Sequence, residues 1–239
     1  MAIIKTPNGN IHYVSIPLYE GVKQIDKEIA DENLILLKKL FDSLNIKFQL
    51  AYGTLLGAVR EKDFISHDED IDLALLDEER EKLLSNIQIL RNHGFEICRY
   101  DRRDLISLIR KGEYIDLYFF RRYKDGMRMC SGEVMLEDFL KDSVEYEFKG
   151  NLYLIPRRYL DFLSCYYGEN WKIPIQTNNY QMGFWKVKAF ELKDKLKNLL
   201  PDWLFLRLAS ISQNKRREHT EAKMLKAIER QGNITSSSK

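Results

Sequence analysis

The chain has 239 residues, 38 of them basic and 36 acidic, for a formal net charge of +2; one substantial core with a helical appendage fits that length better than two full domains. Near-neutral charge gives no general attraction for nucleic acid, so no specific nucleic-acid partner is expected. Cys98, Cys130 and Cys165 are too widely spaced for a zinc knuckle and fit reduced thiols; no run reaches the roughly 18 apolar residues that span a bilayer, and the N-terminus lacks a secretion pattern, so a soluble or peripheral protein is expected.

Residues 1–18 read as an extended or hairpin lead-in, with Pro7-Asn8-Gly9-Asn10 as its turn. Apolar residues at mostly three- and four-residue intervals predict a helix over 22–44, and a break near Ala30-Asp31 leaves two shorter helices open. A short strand over 47–51 delivers the chain to Tyr52-Gly53-Thr54. There, with Gly57, a turn and a brief helix over 54–59 can bring backbone N–H groups and one hydroxyl close to an anion. Thr54 could equally be only a cap, and the glycines could serve close packing alone.

The stretch that follows carries the chemistry. Ile71, Leu73 and Leu75 alternate with Asp70, Asp72 and Ala74, so a strand would hold both carboxylates on one face. Such a like-charged pair is unfavourable unless a cation sits between the carboxylates, and hard divalent ions such as Mg²⁺ or Mn²⁺ take oxygen ligands in this way. Asp68 is a further candidate ligand, although it and Glu69 also read as solvated loop residues. Arg60 and Lys62, between turn and acidic strand, are candidate phosphate-binding cations, and His67 a candidate donor to phosphate or proton acceptor.

Asp77 is a plausible N-cap for a helix to about His93, stopped by Gly94. Strands are expected over 95–99, 105–110 and 114–120, the last two joined by a tight reversal at Lys111-Gly112-Glu113. Asp116 lies inside the third, an otherwise apolar and aromatic run, where an ionisable residue needs a partner. Beside the Asp70 strand it completes a three-carboxylate cluster. Residues 124–141 are weakly patterned. A second hairpin over 144–148 and 152–155 leads into a helix with Pro156 in its first turn and Gly168 at its end.

Residues 186–230 hold 12 basic and 6 acidic positions, a local balance of +6. Helices are expected over 185–200, 203–211 and 218–230, broken at Pro201-Asp202, before a small polar tail, 232–239, expected to be disordered. The domain division is thus 1–183 for the core and 184–231 for a basic helical extension. Phe184, Trp185, Phe190, Trp203, Leu204, Phe205 and Leu206, among Lys186, Lys188, Lys193, Lys195, Lys197 and Arg207, suit either packing onto the core or peripheral attachment to anionic lipid, packing being the preferred reading.

GTLLGAVREKDFISHDEDIDLAL, followed by Tyr114-Ile115-Asp116-Leu117 and IPRRYLDFLSCYYGENW, resembles the LicD family of phosphotransferases. This branch of the nucleotidyltransferase superfamily includes bacterial phosphorylcholine transferases and animal fukutin-related proteins. The resemblance implies an α/β (α+β mixed) fold, a mixed sheet with packed helices. It also implies that Gly53 and Thr54 form a phosphate turn, Asp70 and Asp72 are paired metal ligands, and Asp116 is the third carboxylate. Ser66-His67-Asp68-Glu69 departs from the Pro-Trp-Asp-Asp usual in relatives and leaves the Asp70–Asp72 pair intact. The implied reaction passes a phospho-alcohol from a CDP-linked donor to a hydroxyl of a glycan or lipid-linked glycan, releasing CMP, in the cytoplasm or peripherally at the inner face of the membrane. Transfer of an NMP from an NTP, and noncatalytic nucleotide or glycan binding, are the alternatives.

Overall fold

The computed structural model describes residues 2–16, 18, 23–174 and 183–236. An N-terminal hairpin of Ala2–Thr6 (β1) and Gly9–Tyr13 (β2) turns where expected, with Gly9 at a φ of 119°. Helix α1, Lys27–Ser43, starts at Asp26, whose carboxylate accepts from the backbone N–H groups of Glu28 and Ile29 at 3.1 and 3.2 Å. It runs through Ala30 and Asp31 without a break, because Ala30, Leu34, Leu37 and Phe41 share one fully buried face.

Gln49–Leu50 (β3) leads into Tyr52–Arg60 (α2), and Ile71–Leu76 (β4) follows. The helix expected up to His93 is instead a 3-10 turn, Asp77–Glu79, and two short helices, Arg80–Ser85 (α3) and Ile87–Asn92 (α4). They part at Asn86, whose side-chain amide donates to the Lys82 carbonyl at 2.8 Å in competition with the helix ladder. Glu96–Asp101 (β5), Leu105–Arg110 (β6) and Glu113–Lys124 (β7) form an antiparallel meander.

Together these strands make a mixed sheet in the order β3-β4-β7-β6-β5. β4 and β7 are parallel, while β3 with β4, β5 with β6 and β6 with β7 are antiparallel. Ile71, Leu73, Leu75, Ile115, Leu117 and Phe119 line one face at no more than 1% exposure, and α1 packs against β7. Each such side chain contributes about 1.5 to 3 kcal/mol by leaving water, so one face of the sheet is fixed by burial and the other is left for polar work.

The far end of β7 continues into two strands hidden in the weakly patterned stretch, Met127–Cys130 (β8) and Glu133–Leu136 (β9), before Glu137–Lys141 (α5). Every residue of both strands is buried, two charges among them, so no alternation marks them. Arg128, 1% exposed, donates to Glu78, Glu137 and the Phe120 carbonyl. The other, Glu133, belongs to the network below. Ser143–Phe148 (β10) and Asn151–Pro156 (β11) form the second hairpin. Pro156 closes β11 rather than opening the next helix, α6, which spans Tyr159–Tyr167 and ends at Gly168 with φ 87°. All three cysteines are free.

Two further helices are Phe184–Leu199 (α7) and Asp202–Ser236 (α8), so the expected second and third C-terminal helices are one. α8 continues through the first part of the expected tail, and 237–239 lie outside the described residues. α8 packs against β9 and α6 with Phe205, Ala209, Thr220, Met224 and Ala227 buried, and the Thr220 hydroxyl accepts from the Val134 N–H at 2.9 Å. Arg102 lies 3.9 Å over the Phe205 ring and donates to the Leu200 carbonyl and Asp202. Phe205 is thus packed, whereas Trp185 and Trp203 are 82% and 67% exposed. The side chains of Phe184, Phe190, Lys193, Lys195 and Lys197 lie outside those described. Among the described residues no helix is long and apolar enough to cross a membrane.

Candidate active site

The polar face of the sheet is organised by register. Asp72 on β4 stands beside Asp116 on β7, Asp116 beside Ser107 on β6, and Ser107 beside Arg99 on β5. Cross-strand neighbours share a face and adjacent strands lie roughly 4.8 Å apart, so these four residues form one row across the sheet. Ser107 donates to Asp116 Oδ1 at 2.5 Å, Arg99 Nε donates to the Ser107 hydroxyl at 2.8 Å, and Arg99 Nη2 donates to Asp116 Oδ2. The Tyr118 hydroxyl lies 3.5 Å from the same Oδ2.

Asp72 is gripped from the other side by α2. The Gly53 N–H donates to Asp72 Oδ2 at 2.9 Å, and the Asp72 N–H donates to the Thr54 hydroxyl at 2.9 Å. The anion that the Gly-Thr turn meets is thus the strand's own carboxylate. Gly53 leaves room for the two carboxylates, since a Cβ there would lie 2.1 Å from Asp68 Oδ2 and 3.2 Å from Asp72 Oδ2 and would displace them. Asp68 is set by its own backbone, which donates to the Ile65 carbonyl at 3.0 Å and accepts from the Ile25 N–H at 2.9 Å.

Charge is concentrated here. Burial, then the charges of Asp72, Asp116 and Asp68, push the Asp70 carboxyl well above its usual range, against a pull from Arg99. Burial, Asp68 and Asp116 push Asp72 up in the same way, with the Gly53 N–H and Tyr118 hydroxyl opposing. Burial also raises Asp68. Hard oxygen donors held together at this cost are the donor type that a divalent cation would take. Among the described residues, however, no three His, Cys, Asp or Glu side chains form a ready-made metal cage. Asp116 faces Ser107 and Arg99, and Asp72 faces Gly53.

The expected phosphate-binding cations have protein partners of their own. Arg60 donates to the Trp171 carbonyl at 3.2 Å and to Glu61 at 2.7 Å, tying α2 to the segment after α6. Lys62 donates to the Tyr146 hydroxyl and lies 4.9 Å over its ring, against β10. His67 is half-buried beside Asp68, whose carboxyl feels its charge.

Two groups were not legible as site residues. Arg99 is one. The other is Glu133, 3% exposed, which accepts from the hydroxyls of Tyr52 and Tyr166 at 2.6 and 3.1 Å and from Arg216 of α8 at 2.5 Å. Tyr52 precedes Gly53 and has a φ of 41°, a left-handed conformation that a bulky residue keeps only when its surroundings impose it. Glu133 and the rings of Tyr118 and Tyr166, with centroids 4.8 and 4.7 Å away, provide that restraint. The start of α2, and with it the grip on Asp72, is therefore anchored to β9 and α8.

A carboxylate row on a mixed sheet, gripped by a Gly-Thr helix start, defines a nucleotidyltransferase-type domain. Residues 45–166, over half of the chain, match the model of the LicD/FKTN/FKRP nucleotidyltransferase domain, and the chain belongs to that family. It is similar to the ribitol-5-phosphate transferases FKTN of Macaca fascicularis and Homo sapiens, 23% identical over 184 residues in each case. The match takes in 69% of this chain but only 40% of the length of those relatives. Among solved structures, the lincosamide adenylyltransferase LnuA aligns with a TM-score of 0.42 at 15% identity, covering 67% of this chain and 96% of LnuA.

Proposed function

We propose that the chain is a divalent-metal-dependent phosphotransferase. It transfers a phospho-alcohol, phosphocholine or a phospho-polyol, from a CDP-linked donor to a hydroxyl of a glycan or lipid-linked glycan, with release of CMP. The observation that carries this reading is the parallel β4–β7 register, which sets Asp72 beside Asp116 in a cluster completed by Asp70 and Asp68. Family membership and the relatives named as ribitol-5-phosphate transferases support the choice of transferred group.

Asp70 and Asp72, with Asp68 and Asp116 beside them, would hold Mg²⁺ or Mn²⁺. The chemistry such an ion supplies when bound is neutralisation of the donor diphosphate and a lowered pKa for the acceptor hydroxyl. The chain's own residues prepare the site. Gly53 and Thr54 fix the Asp72 side chain and backbone, Ser107 and Arg99 fix Asp116, and Tyr118 lines the same face. Positions held in advance in this way cost little reorganisation during reaction.

The test incubates the full chain and Mg²⁺ or Mn²⁺ with CDP-ribitol, CDP-glycerol and CDP-choline, and follows CMP. CMP release from one donor, abolished in Asp70→Asn and Asp72→Asn, is the expected result. Wild-type turnover in both variants, or pyrophosphate release from an NTP in place of CMP, refutes it.

A further inference from the structure

Three hydrogen-bonding groups converge on Asp116, which is 3% exposed: Ser107 on Oδ1, and Arg99 and the more distant Tyr118 hydroxyl on Oδ2. A carboxylate has about four lone-pair sites, so both oxygens, and about half of its accepting capacity, are engaged by Ser107 and Arg99 alone. Arg99 is itself held twice, because its Nε donates to Ser107 while its Nη2 donates to Asp116. The three side chains close a triangle in which each fixes the other two. Guanidinium is the cation suited to this, being planar, permanently charged and able to donate in two directions.

Arg99 reaches Asp116 through an irregularity. The β5–β6 register shifts between Ile97 and Arg99, so that Cys98 is the extra residue of a bulge. Without the shift, Arg99 would share the face of Ile97, which is 1% exposed in the core. The bulge turns a cation onto the carboxylate face, where Asp70 also feels its charge.

We propose that Arg99 is a built-in cation that takes the place of a second metal ion. Asp116 is committed to Arg99 and Ser107, and the centre holds one divalent ion, on Asp70 and Asp72. This rests on the metal-dependent reading above and narrows it: Arg99 is a positioning residue for Asp116 and supplies fixed positive charge on that side of the site.

The test is a Mn²⁺ titration of the full-length chain, read by calorimetry and by the EPR signal of free Mn²⁺. One ion per chain is expected for the wild type and for Arg99→Lys, and two for Arg99→Met, in which Asp116 has lost its cation. The double variant Arg99→Met/Asp116→Asn removes the ion pair at constant net charge. It should bind one ion with a Kd within about threefold of wild type. If Asp116 is instead a ligand of that ion, the double variant binds at least about tenfold more weakly. Two ions in the wild type, a folded Arg99→Met that still takes one, or that tenfold loss overturns the assignment of Arg99. A wild-type chain that takes up no Mn²⁺ overturns the metal-dependent reading itself, so the two failures are distinct. The double variant decides the matter if Arg99→Met alone does not fold.

Discussion

Gly53→Ala separates function from stability. The added Cβ would stand 2.1 Å from Asp68 Oδ2 and 3.1 Å from its Cγ, so the Asp68 carboxyl must swing away, while Asp72 Oδ2 at 3.2 Å must yield by a few tenths of an ångström. Asp68 is a side-chain end and can move. Gly53 lies within α2, where alanine is favoured over glycine by roughly 0.5 to 1 kcal/mol. The two effects oppose each other, and Tm should stay within about 4 °C of wild type. The site does not escape so lightly. Weakening the charge-assisted Gly53–Asp72 hydrogen bond, in a class worth about 1.5 to 3 kcal/mol, should cost Mn²⁺ affinity on the order of 10- to 100-fold. Gly57→Ala is the contrast. Its Cβ would meet the Asp63 backbone carbonyl at 2.5 Å, which has no cheap escape, so a stability loss of roughly 1 to 3 kcal/mol is expected. Calorimetric Mn²⁺ titration and thermal unfolding of both variants check this. Wild-type Mn²⁺ affinity in Gly53→Ala, or a Tm drop as large as that of Gly57→Ala, would refute the reasoning.

Asp70→Asn should leave the fold intact and, in EDTA, weaken the pH dependence of stability. A carboxyl raised in the folded state penalises folding once pH exceeds its unfolded value near 3.8, so metal-free wild type loses stability as pH rises above about 4 and the variant loses less. Asp63 has the opposite sign. Burial raises its carboxyl, but hydrogen bonds from Lys27 and Lys149 prevail and bring it to about 2. Its stabilisation is present above about 4 and disappears as pH falls through about 2; with the side chain 36% exposed, solvent screening leaves on the order of 1 kcal/mol for Asp63→Asn to remove at neutral pH. Glu133→Ala leaves the buried Tyr52 hydroxyl without its acceptor and returns the half-exposed Arg216 to solvent, and should cost about 1 to 3 kcal/mol in urea unfolding, whereas an unchanged stability would mean that α8 is not anchored there.

The carboxylate pair was legible because a strand's period of two is simple: Asp72 sits between Ile71 and Leu73, and Asp116 between Ile115 and Leu117, so both point away from a core that the neighbours define. Their adjacency was a condition left open by the hairpin signals, and the parallel pairing of β4 with β7 meets it. Arg99 was hidden by the bulge at Cys98, which breaks that period by one residue and leaves no mark in composition. β8 and β9 were hidden for another reason. Arg128 and Glu133 are charged residues in a weakly patterned stretch, yet both are buried, each satisfied by partners distant in sequence that no local window contains. Arg60 and Lys62 lie near the acidic strand in sequence, but α2 and the loop after it direct them to Trp171 and Tyr146.

The last prediction concerns α7. Positions 185, 189, 192, 196 and 199 recur at four- and three-residue intervals and so share one helix face, on which Trp185, Leu192, Leu196 and Leu199 are 82%, 59%, 55% and 79% exposed. The same repeat sets lysine positions 186 and 193 along one flank of that face and 188 and 195 along the other. Pairing of two chains through this face would bring lysine positions against lysine positions in either orientation, which disfavours self-association. An anionic lipid surface meets both features, with apolar side chains entering the interface and each nearby lysine contributing about 1 kcal/mol. Full-length protein should therefore float with anionic vesicles at low salt and be released near ~0.5 M salt, where charge is screened within a few ångströms. It should not float with neutral vesicles, and Leu192→Gln/Leu196→Gln/Leu199→Gln should lose flotation while keeping wild-type Tm. Failure of the folded full-length chain to float with anionic vesicles even at low salt would exclude direct lipid attachment through this face.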